Sequence, residues 1–221
     1  MSATPEDGAR RSAGGRRRWW RRLLLPAAPD VLALLVAQGT ISASGLDAFA
    51  QWSADGGKAA AERVHAARAK GYDARRELLA ALQAALSTPV DQEDLYVLSE
   101  RVDHVLNAAR HAVREAEVLG WQPDSYAARM GARLAEGTQA LLEGFELLHK
   151  KGAQAGAKAD AASEAVRHVE RDYRDAMAVL VDEQDIRAVL AAGDLYRRYL
   201  AVAEAIVGVA DRLWYVVLQE A

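Results

Sequence analysis

The chain is a series of long, apolar-striped segments parted by five short breaks, a spacing that leaves little besides a helical bundle to fold into. The breaks fall at Gly56-Gly57, Ser87-Thr88, Gly120 to Pro123, Gly152 and Asp182 to Gln184. In the third segment Leu95, Leu98, Val102, Leu106, Ala109, Val113 and Ala116 recur every three or four residues. That is one face of a helix. Ala162, Val166, Val169, Tyr173, Ala176 and Leu180 repeat the pattern in the fifth. The spacing predicts six long antiparallel helices: Pro29-Asp30 to about Trp52, Lys58 to Leu86, Pro89 to Leu119, Pro123 or Asp124 to about Lys150, Ala153 to Val181, and Glu183 to Glu220. Gly193 is expected to disturb the last. Three helices, a break and three more suggest two three-helix units, about 27–120 and 121–221, behind a tail over residues 1–22.

Composition narrows the function classes. The chain has no Cys, which removes disulfides, thiolate metal sites and cysteine nucleophiles and fits a reducing compartment. Its net charge of −3 hides an asymmetry: seven Arg against Glu6 and Asp7 give residues 1–22 a charge of +5, which leaves −8 for the rest. An acidic body argues against nucleic-acid binding. The basic segment Arg16, Arg17, Arg18, Trp19, Trp20, Arg21 and Arg22 lies in a polar, Gly/Ser/Ala-rich and hence loosely ordered tail. It is expected to touch an anionic membrane surface or the inner face of a membrane partner. An export signal would take Val31–Ala37 as its apolar core, but Pro26, Pro29 and Asp30 interrupt the run short of a spanning length.

The third helix opens on Thr88 as a cap, Pro89 at the first helical position and Asp91 three residues after the cap. Followed by Glu93-Asp94-Leu95, this stretch resembles the PhoU-like proteins, specifically the branch of phosphate-transporter (Pit) accessory proteins. The likeness extends through Leu25-Pro26, Pro29-Asp30, Gln51-Trp52, Arg114 to Val118, Tyr173-Arg174 with Met177, Leu195 to Arg198 and Ala210 to Tyr215. It implies an all-α PhoU-like six-helix bundle built from two three-helix units, and a cytoplasmic, non-enzymatic regulator docking on a phosphate permease, with an oligomer allowed.

The resemblance also implies acid-xxx-acid motifs that gather metal ions between helices. Here the first motif falls near Arg68 and Tyr72, or Ala69 and Asp73; Asp94 and Asp103 match, but His104 and Asn107 replace neighbouring acids. Glu170 stands opposite Arg174, and Glu204 and Asp211 opposite Leu200 and Val207. Asp94, Asp103, Glu204 and Asp211 remain as metal ligands, a set suited to no obligatory cofactor and at most a weakly held divalent or iron ion. Each has a plainer reading. Asp94 suits the first turn of its helix electrostatically, and Asp103 borders a polar stripe with Glu100, Asn107, Arg110 and Arg114. Glu204 and Asp211, seven apart on one helical face in apolar surroundings, would form interhelical ion pairs with arginines such as Arg212.

Glu62 with His65 and Glu146 with His149 carry the Glu-x-x-His spacing of ferritin-like di-metal bundles, the enzyme-class alternative. His104 and His111 fall on an exposed face. No phosphate loop, dinucleotide loop, zinc-protease helix or nucleophile elbow occurs, so no catalytic residue is expected. A general helical adaptor unrelated to phosphate is the remaining reading.

Overall fold

The computed structural model describes residues 30–219, and the tail residues Arg16 to Arg22 singled out above lie outside them. The described residues form six helices: α1 Val31–Asp55, α2 Lys58–Ala84, α3 Gln92–Leu119, α4 Ser125–Leu147, α5 Gly152–Leu180 and α6 Ile186–Gln219. The fold is all-α, and its breaks sit where the turn residues stand.

Local chemistry sets the ends. Asp30 caps α1, its Oδ1 accepting from the Ala33 amide at 3.0 Å, and Gly56 at φ +67° closes it with an amide bond to the Trp52 carbonyl. A positive φ favours glycine, which has no Cβ to clash. Asp124 caps α4 through the Tyr126 and Ala127 amides at 3.0 and 2.9 Å. The expected Thr88 cap is corrected: α3 begins at Gln92, with Asp91 as its cap accepting from the Glu93 amide at 2.7 Å. Thr88 instead donates its hydroxyl to the Val90 carbonyl at 2.6 Å, holding residues 87–91 in a bent approach. Nor does Gly193 disturb α6, which runs unbroken for 34 residues. Gly193 is buried against the hairpin with α5, and a Cβ there would meet only Leu180, at 3.9 Å.

Successive helices are antiparallel neighbours. Helices α1, α2 and α3 pack on one another, as do α4, α5 and α6, and the two triplets join through α1 on α4 and α3 on α6. Helices α1, α3, α4 and α6 thus form the inner layer, with α2 and α5 outside it. The stripe of α3 named above is buried along its whole length, and one continuous apolar cluster spans both triplets. Close approach explains two inner glycines. A Cβ at Gly131 of α4 would lie 2.7 Å from the Ser53 Cβ of α1, and one at Gly45 of α1 would lie 2.9 Å from the Ala67 Cβ of α2.

Buried polar pairs fix the register between inner helices. Gln38 of α1 donates to the Ser99 carbonyl of α3 at 2.8 Å and accepts from the Ser99 hydroxyl at 2.7 Å. Tyr199 of α6 donates to the Ser53 hydroxyl of α1 at 2.8 Å. Tyr196 donates to the Asp124 carboxylate, the same group that caps α4.

The apolar run in α1 is longer than the reading of Val31–Ala37 as a short apolar core allowed. Its 25 residues include an 18-residue window of mean hydropathy 1.4, enough by length and composition to cross a bilayer. In the bundle α1 packs on α2, α3 and α4, burying Leu35, Leu46, Phe49 and Trp52. Its apolar character serves a helix with neighbours on several sides.

Candidate functional site

Three acids of α3, Asp94, Asp103 and Glu115, each meet an arginine from a flanking helix. Asp94 lies 2.5 Å from Arg212 Nη2 of α6. Asp103 lies 3.1 Å from Arg68 Nη1 of α2, accepts from Arg68 Nη2 at 3.3 Å, and has Arg75 Nη1 at 4.0 Å. Arg68 Nε also donates to Asn107 at 3.3 Å. Glu115 pairs with Arg198 of α6, which raises the guanidinium's proton affinity. Arg101 completes the seam by donating to the Gly208 carbonyl of α6.

Asp94 and Asp103 are therefore not as expected. Asp94 does stand in the first turn of α3, yet it is buried at 3 % exposure, and Asp103, expected on a solvated face, is buried at 5 %. Burial pushes the Asp94 carboxyl above its ordinary value; Arg212 pulls the other way, while Asp91 and Glu93 add to the upward push. A buried carboxylate needs a matching charge. Here guanidinium groups supply it.

Glu204 and Asp211 are also corrected. Both are exposed on α6 and form no ion pair among the described residues, while Arg212, expected to serve them, turns to Asp94. The buried stripe of α6 runs through Leu195, Tyr199, Val202, Ile206, Val209, Leu213 and Val216. At about 100° per residue, positions 204 and 211 fall off that stripe although their sequence neighbours are apolar.

These four carboxylates do not fit a metal cluster. Two are held by arginines, two face outward, and among the described residues no three His, Asp or Glu side chains converge as ligands. The ferritin-like set is not assembled either. Helices α2 and α4 do not pack on each other, and Glu62, Glu146 and His149 are exposed. His65 instead lies 3.5 Å from Glu117 of α3. His104 and His111 are exposed, as the spacing indicated.

Between α2 and α3 runs an open groove of about 600 Å³, lined by His65, Arg68, Tyr72, Arg110, Arg114 and Glu117. Arg68 is fixed in place by Asp103 and Asn107, whereas Arg110 and Arg114 have no carboxylate within ion-pair distance among the described residues. Such a wall can receive an acidic group of a partner. The sequence reading missed the arginine partners, although a signal was present. Arg68 and Arg75, seven apart, and Arg198 and Arg212, fourteen apart, each recur on one helical face.

Comparison with solved structures gives the fold its class. The chain is similar to a PhoU-like protein from Shewanella oneidensis MR-1, with a TM-score of 0.70 at 15% identity over 86% of this chain and 99% of that one. It is also similar to a putative PhoU-like phosphate regulatory protein from the same organism, with a TM-score of 0.60 at 14% identity over 86% and 96% of the two chains. No family model and no curated protein matches the chain. The architecture is therefore a PhoU-like six-helix bundle.

Proposed function

We propose that this protein is a non-enzymatic regulator of inorganic phosphate transport, acting from the cytoplasm by docking on a permease of the Pit type. The observation that carries the reading is the likeness of the whole bundle to PhoU-like structures, one of them described as a phosphate regulatory protein. The short sequence stretches that resemble Pit accessory proteins favour that branch. The seam chemistry is consistent with a binding role. Its buried acids, Asp94 and Asp103, are paired with Arg212, Arg68 and Arg75.

The test is phosphate uptake in a deletion strain, at low and high phosphate, with complementation by the full chain. Altered uptake restored by the full chain, together with co-purification of a phosphate permease, is the expected result. Unchanged uptake under both conditions with no permease captured would leave a helical adaptor without a link to phosphate.

A further inference from the structure

The hairpin joining α5 to α6 runs past the end of the bundle and carries apolar side chains into solvent. Tyr196 meets Asp124 at the base of α4, and Tyr199 meets Ser53 near the end of α1. Helix α6 begins ten residues before Tyr196, or about 15 Å further out. Residues 181–188 are exposed throughout. Around this tip Val179, Val181, Ile186 and Leu190 are 55, 82, 71 and 64 % exposed. Beside them stand Asp182, Glu183 and Asp185 against Arg187 alone, a local charge of −2 by that count. Four exposed aliphatic side chains flanking an acidic turn ask for a segment that is apolar and basic.

The chain contains one. Residues 16–25 read Arg-Arg-Arg-Trp-Trp-Arg-Arg-Leu-Leu-Leu, with five cations and five apolar side chains. Distance decides which copy it can reach. Gln38 of α1 bonds Ser99, and Ser42 shares a small cavity with Val209 of α6, so α1 runs back along α6 away from the tip. Val31 then lies level with the last turns of α6, about 45 Å from the tip at 1.5 Å per residue. Six residues from Leu25 to Val31 span about 20 Å at full stretch. Even Trp19, twelve residues before Val31, reaches only about 40 Å at full stretch, so the apolar side chains of the segment cannot cover the tip of their own chain.

We propose that the segment Arg16–Leu25 of one copy docks on the α5–α6 tip of a second copy. In an antiparallel pair each segment stands level with the partner's tip, so both contacts form at once and close a twofold dimer. Trp19, Trp20 and Leu23 to Leu25 cover Val179, Val181, Ile186 and Leu190, while the arginines meet Asp182, Glu183 and Asp185. This assignment does not depend on the proposed role in phosphate transport.

Sedimentation velocity of the full chain tests it. A salt-sensitive dimer is expected at about 50 mM salt, weakening toward about 500 mM as the charges are screened. Ile186→Glu/Leu190→Glu, at exposed positions, should weaken dimerisation at least tenfold, as should Arg17→Glu/Arg18→Glu. Asp182→Arg/Gln184→Arg should also weaken it, and combining that tip with the Arg17→Glu/Arg18→Glu segment should restore it. Circular dichroism confirms that each variant keeps its helices. A chain monomeric at low salt, or a dimer indifferent to both sets of changes, would overturn the proposal. So would a monomer that instead floats with phosphatidylglycerol vesicles, which would assign the segment to lipid.

Discussion

At the scale of single residues, the ion pairs of α3 decide what substitutions cost. Arg212 is largely covered and its partner Asp94 is almost wholly so. Arg212→Leu would leave that carboxylate buried without its partner, a change that costs about 3–5 kcal/mol. The double variant Asp94→Leu/Arg212→Leu removes both charges and should lie within about 1–2 kcal/mol of the starting protein, because two desolvation penalties vanish with the attraction. Urea unfolding of the two variants checks this; equal losses would mean the pair is not the issue. The same site sets a pH dependence. Burial raises the folded value of Asp94 above the ordinary 3.8. Below the ordinary, unfolded value the carboxyl is protonated in both states, and its favourable contribution is fully present. As pH rises through the folded value the contribution is lost, since the unfolded chain releases the proton more readily. Stability of the protein relative to Asp94→Asn should therefore fall as pH rises from about 4 to 7. A rising difference over that range would reverse the sign.

At the scale of helices, spacing told most of the story and side-chain geometry told the rest. The seam from Leu95 to Ala116 is legible because a bundle buries one stripe per helix, and every member of it is buried. Asp103 was not legible as a buried residue, because its cover comes from Arg68 and Arg75 on another helix. Glu204 and Asp211 misled for the reverse reason: their immediate sequence neighbours are apolar, yet at about 100° per residue both fall off the buried stripe of α6. The start of α3 was displaced three residues because Thr88-Pro89 and Asp91 both carry capping chemistry, and the Asp91 carboxylate is the one that meets an amide. Glycines sort in the same way. Gly131 and Gly193 both stand inside helices, yet a Cβ would strike Ser53 at 2.7 Å at the first and meet only Leu180 at 3.9 Å at the second. Gly193→Ala should stabilise by up to about 1 kcal/mol through helix propensity. Gly131→Ala should destabilise by about 1–3 kcal/mol, because α1 and α4 must part to admit the methyl group. Thermal unfolding of the two variants should move in opposite directions; two shifts of one sign would refute the contact argument.

At the scale of the molecule, the two triplets of helices are set by short connections, but their stability is not separable. Each triplet buries a large part of its apolar surface against the other, through α1 on α4 and α3 on α6, and the core is a single cluster. The polar links cross the same boundary: Tyr199 to Ser53, Arg212 to Asp94, Arg198 to Glu115 and Arg101 to the Gly208 carbonyl. Cutting the chain near Gly120 would expose Phe49 and Trp52 on one side and Tyr199 and Ile206 on the other, all buried in the intact fold. At about 25 cal/mol per Å² of apolar surface, exposing several such side chains outweighs the net stability of a domain of about 100 residues. Unfolding should accordingly be one cooperative transition. Helix content by circular dichroism and the fluorescence of Trp52, Trp121 and Trp214 should report the same urea midpoint. The isolated segments 30–120 and 121–219 should each fail to show a cooperative transition and should regain helicity only when mixed. A segment that unfolds cooperatively by itself would show the triplet to be an autonomous domain, and the shared core to be an interface between two of them.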